Sequence, residues 1–327
     1  MEKVVGRPSR QSGMAVISAL LIVTVVAVIV AQIVSRQALF TRTVQAEQSR
    51  VQGGWLLRGA LELSRQMLWQ ARLEEPLTRL DQAWAQPVRV ASANARGDAF
   101  EFWIEDEQGK FNLRNLVRDG RVDMEEAAGF ERLCQALGLN VALARRIGQR
   151  VIESHALLPE AADDQPDVAG GFSSARLTSP NASRQPLPPR RPKLRVLDDL
   201  RSLEGIDDGT LERLRPYVTI LPANTWINGN TARAEVLAAH VPGLSLQQAQ
   251  SLLAERDQGR WFINRGDFVN RLRMPDREMT SIRIGITSNW FLVHGRALSG
   301  ERLVTLHALL QRNEEQRPRV VWSRAGT

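Results

Sequence analysis

One uninterrupted apolar run near the N-terminus constrains this chain more than any other feature. Residues 14–34 contain no charged side chain, and about 20 apolar residues at 1.5 Å rise each can cross a hydrocarbon core of roughly 30 Å. A cleaved secretory signal has a shorter apolar region of about 7–15 residues and then a small-x-small site. No such site follows this run, so we predict a membrane-spanning helix that stays in the mature protein.

The charges on either side of the run predict its orientation. Lys3, Arg7 and Arg10 precede it, whereas Arg36 and Arg42 follow it and weaken the asymmetry. Basic residues concentrate on the cytoplasmic side of a membrane helix. We therefore expect one spanning helix with its N-terminus in the cytoplasm and the bulk of the chain outside.

The junction in front of the run is the most specific signal in the sequence. A short basic leader ends in Gly13, and Met14 begins the apolar helix. This junction resembles the signal of type IV pilins and type II secretion pseudopilins, which prepilin peptidase cuts after the glycine. The resemblance implies cleavage between Gly13 and Met14, followed by methylation of the new N-terminus. An ordinary signal anchor with a chance glycine is the alternative for this stretch alone.

The fifth residue after the implied cut departs from the general pilin pattern. In those families it is normally a glutamate, whose carboxylate pairs with the N-terminal amine of a neighbouring subunit; here it is Ser18. Burying a carboxylate in lipid is expensive unless it is paired. A subunit without one is therefore expected at the end of a filament. Loss of this glutamate is a feature of the K-type minor pseudopilin, so the departure strengthens that resemblance.

The helical pattern continues beyond the membrane run. Apolar residues return to one helix face while polar residues fill the other; they are Val44, Val51, Trp55, Leu63 and Met67. Gly53 and Gly54 interrupt this segment, and each costs about 1 kcal/mol relative to alanine, which predicts a kink or local melting. One long helix, half in lipid and half packed on a soluble domain, is what a pilin fold requires.

The rest of the chain predicts a β-sheet divided by a helical insertion. Alternation in "AFEFWIED" predicts a strand, and "DEQGK" predicts a hairpin turn before a second strand at Phe111. From residues 117 to 152 the pattern is helical, with a stop at Gly138. Alternation returns in "WFLVHGRALSGERLVTLHALL", where "GRALSG" predicts a hairpin turn, and "RPRVVWSR" predicts a last strand.

The segment "WINGNTARAEVLAAHVPGLSLQQAQSLLAERD" resembles two families at once. These are helix-hairpin-helix DNA-binding modules and the helical insertion of K-type pseudopilins, in which an Asn-x-Asn-Thr-Ala start leads to a Pro-Gly-hydrophobic turn and a later arginine. The matching residues are Asn228, Asn230, Thr231, Ala232, Pro242, Gly243, Leu244 and Arg256. An earlier segment, "LRSLEGIDDGTLERL", has the same shape with Gly205 and Ile206 at its turn, so the two predict a weak internal repeat.

The turns of these hairpins argue against DNA binding. DNA-binding hairpins use a Gly-hydrophobic-Gly turn, whose backbone amides approach a phosphate at a helix start. Asp207 replaces the second glycine in the first copy, Ser245 replaces it in the second, and Asp208 adds negative charge. The formal net charge of +7 would suit nucleic acid or an anionic membrane, but an arginine-rich surface without a partner gives the same value. We expect the hairpins to pack and to bind no nucleic acid.

The sequence contains no recognisable catalytic motif. It has no Gly-x-Ser-x-Gly, no phosphate-binding glycine-lysine loop and no His-Glu-x-x-His, which predicts that the protein is not an enzyme. His155, His240, His294 and His307 lie far apart in the sequence and are predicted to be surface or packing residues. Cys134 is the only cysteine, so it forms no internal disulfide, and its apolar helical position predicts a buried, inert thiol.

An acidic cluster in "ESHALLPEAADDQPDVAGG" raises the question of calcium. Its carboxylates are Glu153, Glu160, Asp163, Asp164 and Asp167. Calcium takes six to eight oxygen ligands, and the K-type resemblance implies a calcium-bearing acidic loop near here. Arg150 and His155 stand where further acids would be expected, and no EF-hand order is present. A calcium site and a solvated acidic loop both stay open.

The resemblance to K-type pseudopilins covers nearly the whole chain and predicts an α+β, type IV pilin-like fold. In that fold a long N-terminal helix packs on an antiparallel sheet, here with a large inserted helical domain that contains the hairpin repeats. The predicted divisions are a leader (1–13), a transmembrane segment (14–35), the first part of the pilin domain (36–115), the insertion (116–282) and the C-terminal strands (283–327). Residues 170–193, rich in proline, serine and arginine, are predicted to form an extended loop within the insertion.

The function implied by the resemblance is that of a minor pseudopilin at the tip of the type II secretion pseudopilus. Such a subunit initiates or caps the filament and supports export of folded proteins across the outer membrane. Its implied partners are I-type and J-type minor pseudopilins, the major pseudopilin, prepilin peptidase and the inner-membrane secretion platform. Its implied location is the bacterial inner membrane, with a periplasmic C-terminal domain. The alternative is a membrane-anchored DNA-binding or DNA-uptake protein that uses its hairpins.

Overall fold

The structure is a computed structural model that describes residues 12–91, 99–159, 185–274, 282–299 and 302–326. The helices are α1 (Ser12–Glu74), α2 (Met124–Ala136), α3 (Val141–Ile152), α4 (Asp208–Leu214), α5 (Ala234–His240), α6 (Leu246–Asp257) and α7 (Arg265–Leu272). The strands are β1 (Val88–Ala91), β2 (Ala99–Asp106), β3 (Phe111–Asn112), β4 (Val117–Arg118), β5 (Arg121–Val122), β6 (Val218–Thr219), β7 (Ile227–Asn228), β8 (Ile284–Gly285), β9 (Trp290–Ser299), β10 (Arg302–Gln311) and β11 (Arg319–Gly326).

The N-terminal helix α1 is continuous, so the kink or melting predicted at Gly53 and Gly54 is wrong. A Cβ atom added at Gly53 would lie 2.9 Å from Val304 Cγ2 and 3.8 Å from Ala297 Cβ. The helix therefore lies directly on strands β9 and β10 at this point. Packing against the sheet offsets the conformational cost of the glycine, and the missing side chain is what permits the close approach.

The main sheet has five antiparallel strands in the order β1-β2-β9-β10-β11, and α1 covers one of its faces. Leu57 packs with Val304 near one end of the sheet, and Leu68 packs with Phe291 and Val293 near the other. The predicted strand β2, the C-terminal hairpin and the last strand are confirmed. Most of "GRALSG" belongs to β9, which continues to Ser299; residues 300–301, between β9 and β10, lie outside the described part.

The hairpin predicted at "DEQGK" is wrong. Phe111 and Asn112 form β3, which pairs in parallel with the distant β6 and not with β2. The carboxylate of Asp106 accepts a hydrogen bond from the Gln108 backbone at 2.8 Å and starts a 3-10 turn. This turn directs Phe111 away from the sheet and into the insertion, where its side chain is fully buried.

The helix predicted from residue 117 begins only at Met124. Strands β4 and β5 form a tight hairpin first, with Gly120 at a φ of 74°, a left-handed conformation that glycine adopts without strain. Asp123 then caps α2 by accepting a hydrogen bond from the third backbone N–H group of the helix. The predicted stop is confirmed, since α2 ends at Ala136 and Gly138 follows with a φ of 70°.

The segment between β2 and β9 forms a helical insertion with its own hydrophobic core. Helices α2 to α7 contribute Phe130, Leu133, Cys134, Ile147, Leu211, Val236, Leu237, Leu253 and Phe268 to it. Phe111, Leu113 and Leu116 join the same core, so the packing of the insertion begins before residue 116, the predicted limit. Cys134 is buried as expected, and burial, with a smaller effect of Glu131, raises the pKa of its thiol to about 12.

Candidate functional site

The first half of α1 presents apolar side chains on every side. It is the one helix within the described residues that is long and apolar enough to cross a membrane by length and composition. Met14, Leu21 and Val34 all expose more than half of their surface. The implied processing junction lies at the start of this helix, because α1 begins at Ser12; residues 1–11 of the leader lie outside the described part.

The hydroxyl groups in the apolar half of α1 are satisfied by the helix itself. Ser18 Oγ donates a hydrogen bond to the Met14 carbonyl at 2.9 Å, and Thr24 Oγ1 donates to the Leu20 carbonyl at 2.8 Å. Such back-bonding to the preceding turn lets a hydroxyl enter an apolar medium at low cost. Ser18 therefore needs no partner from another chain inside the membrane.

Beyond the membrane half, α1 forms one wall of an open apolar groove. The groove has a volume of about 510 Å³ and is lined by Gln48, Val51, Gln52, Trp55, Leu56, Gly59, Ala60, Leu63 and Phe100. Trp55 is 64% exposed, and the Arg58 guanidinium lies 5.0 Å from its ring centroid. A Cβ at Gly59 would have no neighbour within 4 Å. This α1 groove can accept another apolar helix that runs alongside α1.

Only one residue of the predicted calcium cluster falls within the described part. Glu153 is hydrogen-bonded to Gln149 at 3.1 Å and forms an ion pair with Arg191 at 3.0 Å; these contacts, the Gln149 bond first, lower its pKa. The other four, Glu160, Asp163, Asp164 and Asp167, lie outside the described residues. Among the described side chains, no group of three or more His, Cys, Asp and Glu residues could hold a metal ion together. The calcium site stays a prediction.

The two helical hairpins share the left-handed glycine that their sequences suggest. Gly205 has a φ of 86° and Gly243 a φ of 85°. The replaced glycines are helix N-caps: Asp207 and Ser245 each accept a hydrogen bond from the backbone N–H group three residues on. Each turn thus satisfies one of its amides internally, and the carboxylate at Asp207 would repel a phosphate. The geometry gives no support to the DNA-binding alternative.

The Asn-x-Asn-Thr segment is the junction between the insertion and the rest of the molecule. Asn228 Nδ2 donates to the Thr78 carbonyl at 3.1 Å, to Asp106 Oδ2 at 3.1 Å and to Ser288 Oγ at 2.8 Å. Thr231 Oγ1 donates to the same carboxylate at 2.6 Å. Thr78 follows α1, Asp106 is the last residue of β2 and Ser288 precedes β9. One asparagine therefore connects these three elements to the insertion.

The remaining motif residues fix the loop internally. Asn230 donates to the Phe262 carbonyl at 2.9 Å and accepts from the backbone N–H group of the same residue at 2.8 Å. Arg256 Nη1 donates to the carbonyls of Gly229, at 3.1 Å, and Ala232, at 2.7 Å. The motif that resembles a DNA-binding module therefore stabilises the insertion through internal hydrogen bonds.

A buried carboxylate and a buried guanidinium lie at this junction. Burial raises the pKa of Asp106, and hydrogen bonds, that from Ser288 first, oppose the rise. Arg312 donates to Thr78 Oγ1 and to the Ser288 carbonyl, both at 2.6 Å. Burial lowers its pKa to about 10, with Asp106 opposing. The Asp106 carboxylate accepts four hydrogen bonds, whereas Nε and Nη1 of Arg312 are buried with no hydrogen-bond partner. Both charged groups lie inside the junction that joins the insertion to the sheet.

Two of the histidines predicted to be isolated are in fact neighbours. His294 and His307 face one another across β9 and β10, with their Nδ1 atoms 3.1 Å apart. His155 and His240 are packing residues, as predicted: His155 Nδ1 lies 2.8 Å from the Val151 carbonyl, and the side chain of His240 is almost fully buried. The sequence does contain a sign of this pairing. His294 stands six residues before Gly300 and His307 six residues after Glu301, so the two are symmetric about the middle of the predicted hairpin.

Comparison with known proteins agrees with this architecture. Two family models, each described as "Type II secretion system (T2SS), protein K", match residues 109–223 and 227–287. Type II secretion system protein K from Pectobacterium carotovorum subsp. carotovorum is 30% identical over 301 residues, covering 87% of this chain and 88% of that protein. The protein of the same name from Pseudomonas aeruginosa PAO1 is 28% identical over 323 residues, covering 95% and 92%.

A solved structure has the same fold. The crystal structure of the GspK-GspI-GspJ complex from the enterotoxigenic Escherichia coli type 2 secretion system contains a chain that superposes with a TM-score of 0.62 at 19% identity, covering 87% of this chain and 99% of that one. The two family models fall on the helical insertion, and the relatives extend over nearly the whole chain. This chain therefore belongs to the type II secretion system protein K family, the K-type minor pseudopilins.

Proposed function

We propose that this protein is the tip subunit of the pseudopilus and that it has a structural, not an enzymatic, role. The observation that carries the proposal is the position of the helical insertion at the end of the molecule that points away from the membrane. A subunit whose outer end is covered in this way can have neighbours beside and below it. It leaves no place for another subunit above.

The direction of α1 along the sheet supports this position. Gly53, nearer the membrane, lies against Val304, in the half of the sheet close to the β9–β10 turn. Leu68, about 15 residues further along, packs with Phe291 at the opposite end. The insertion joins that opposite end, where the Thr78 backbone N–H donates to the Ile286 carbonyl at 3.0 Å. The insertion is thus attached at the end of the sheet that lies further along α1 from its apolar half.

Ser18 fits the same position. Its hydroxyl is satisfied within α1, whereas a glutamate in lipid would have to be neutralised or find a cation. A tip subunit has no subunit ahead of it to supply an amine. Ser18 is therefore the less costly residue at a filament end.

We propose that the α1 groove is the lateral contact with the I-type and J-type minor pseudopilins. Its lining is apolar and includes a largely exposed tryptophan, the residue type most enriched at the energetic centres of interfaces. A partner anchored in the same membrane would present its own helix parallel to α1 at this height. The major pseudopilin would follow below, and the inner-membrane secretion platform would drive assembly.

The topology follows from the anchor. We propose that prepilin peptidase removes residues 1–13 on the cytoplasmic side, that α1 crosses the inner membrane once, and that the sheet and insertion lie in the periplasm. Met14 would be the mature N-terminus.

The proposal is tested by raising the amount of this protein in cells that assemble pseudopili. A capping subunit in excess should terminate more filaments, so mean pseudopilus length, measured by electron microscopy, should fall. A Gly13→Leu variant, which should retain its leader, serves as the matched control and should leave the length unchanged. Filaments labelled along their whole length by an antibody to this subunit would contradict the tip assignment.

A further inference from the structure

The face of the sheet opposite α1 carries a cross-strand pair of histidines. His294 on β9 and His307 on β10 occupy directly opposed positions. Their ring centroids are 5.0 Å apart, their planes are nearly perpendicular at 87°, and their Nδ1 atoms lie 3.1 Å from one another. His307 is exposed to solvent, whereas the His294 side chain is 17% exposed.

The ring of His294 is fixed on both of its other sides. It stacks on Trp103 of β2 with a centroid distance of 4.9 Å and an interplanar angle of 3°. Its Nε2 atom lies 3.3 Å from Glu105 Oε2, and Lys110 Nζ holds the same carboxylate oxygen at 3.0 Å. The carboxylate favours the tautomer with a proton on Nε2. That tautomer leaves the Nδ1 lone pair directed at His307.

We propose that His294 and His307 form a two-ligand binding site for a divalent transition-metal ion. A tetrahedral ion with bonds of 2.0–2.1 Å separates two nitrogen ligands by roughly 3.3 Å, so the present distance needs only a small opening. Imidazole ligands select Zn²⁺, Cu²⁺ or Ni²⁺ over calcium and magnesium. The contact of a ligating histidine with a carboxylate through its second nitrogen is the usual support of such a ligand. Water would complete the coordination on the exposed side.

The surrounding charges decide at which pH the site is competent. Burial, and then His294, Arg215 and Arg296, lower the pKa of His307, while Asp198 opposes them. Since a metal must displace any proton from its ligands, binding is measured at pH 7.5.

The same cations also act on the bound ion. Arg296 and Arg215 lie near the histidine pair and disfavour the positive charge of a bound metal ion. Arg324, the cross-strand neighbour of His307, has the same effect. The carboxylates of Glu105 and Asp198 act in the opposite sense, although Lys110 neutralises part of the first. A site of two ligands in this field should bind an exchangeable ion, not a permanent structural one.

The test is a titration of the untagged full-length chain in detergent with Zn²⁺ by calorimetry at pH 7.5. Glu105→Gln keeps a hydrogen-bond acceptor but removes its charge, and it should weaken binding by about tenfold. His294→Gln and His307→Gln should each weaken it further. His155→Gln, which alters a half-buried histidine of the insertion, is the matched control and should bind like the native chain.

Spectroscopy of Cu²⁺ gives a readout that a purely structural role would not affect. Nitrogen couplings in the electron paramagnetic resonance spectrum should report two imidazoles in the native chain and one in the folded His307→Gln variant. Native-like Zn²⁺ affinity in both histidine variants would overturn the proposal. Failure of the native chain to bind Zn²⁺ at pH 7.5 would also overturn it.

Discussion

At the scale of single residues, two neighbouring carboxylates of β2 have opposite electrostatic surroundings. The side chain of Glu105 lies on the outer face of the sheet. Burial raises its pKa, but His294 and Lys110 together outweigh burial and lower the pKa to about 2. The next residue, Asp106, points into the junction with the insertion, where burial dominates and its pKa rises. Strand alternation thus places one carboxylate beside Lys110 and His294 on the outer face and the other in a core.

The lowered pKa of Glu105 makes a prediction about acid stability. Because the pKa of Glu105 in the folded chain lies below its ordinary value of 4.5, this carboxylate stabilises the fold above about pH 4.5, and the contribution is lost as the pH falls toward 2. Glu105→Gln should therefore unfold more easily at pH 6 but show a smaller loss of stability between pH 5 and pH 3. Chemical denaturation at a series of pH values measures both effects.

A neighbouring glutamate provides the control for that experiment. Glu101 lies on the same strand and face, and its partner is the exposed Arg89 at 2.6 Å. Exposed ion pairs contribute little, about 0–1 kcal/mol. Glu101→Gln should therefore change the stability at pH 6 by no more than about 1 kcal/mol. If the stability of the native chain and that of Glu105→Gln fell in parallel with pH, the lowered pKa of Glu105 would be contradicted.

At the scale of elements, the regular parts of the fold could be predicted, and the short parts could not. Strand β2 has 8 residues, and β9 and β10 have 10 each. In all three strands apolar and polar residues alternate, and this pattern can be read within the strand itself. Strand β3 has two residues and pairs with β6, more than 100 residues away. No local pattern specifies such a contact, because capping at Asp106 and burial of Phe111 decide it.

The candidate site shows the same division. The apolar length of α1 is readable from the sequence because composition determines it. The Ser18 hydroxyl bonds to its own helix, but its position at a filament tip stays a prediction. The histidine pair could not be predicted from composition, because it depends on the register in which β9 and β10 pair. The Asn-x-Asn-Thr motif was recognised by resemblance, but its role in holding Asp106 depends on three elements that are distant in sequence.

The packing of α1 on the sheet gives a prediction with opposite signs at adjacent glycines. Gly53→Ala would place its Cβ 2.9 Å from Val304 Cγ2, and overpacking of this kind costs about 1–3 kcal/mol, more than the helix gains. Gly54→Ala meets nothing within 4 Å and should stabilise the helix by up to about 1 kcal/mol. Thermal unfolding of both variants measures the difference. Stabilisation by both would show that helix and sheet separate readily.

At the scale of the whole molecule, three parts follow one another along α1. They are the apolar first half of the helix, the α1 groove beside its second half, and the insertion, which joins the end of the sheet near Leu68. At 1.5 Å per residue, the 63 residues of α1 span roughly 95 Å, about three times the thickness of a hydrocarbon core. The proposed lateral contact therefore lies beyond the length of helix that a membrane would cover.

The last prediction tests the α1 groove as the lateral contact. Trp55 lines the groove and is 64% exposed. Gly59, which also lines the groove, leaves open space beside it. If an apolar helix of an I-type or J-type partner covers it, Trp55→Ala should cost about 2 kcal/mol or more of binding free energy, roughly thirtyfold in dissociation constant. Co-purification of full-length chains from detergent should then fail or weaken. Trp226→Ala is the control, because Trp226 is also 45% exposed but belongs to the insertion. Equal recovery of partners with both variants would place the lateral contact elsewhere on the molecule, whereas selective loss with Trp55→Ala would leave the insertion free to act as the cap.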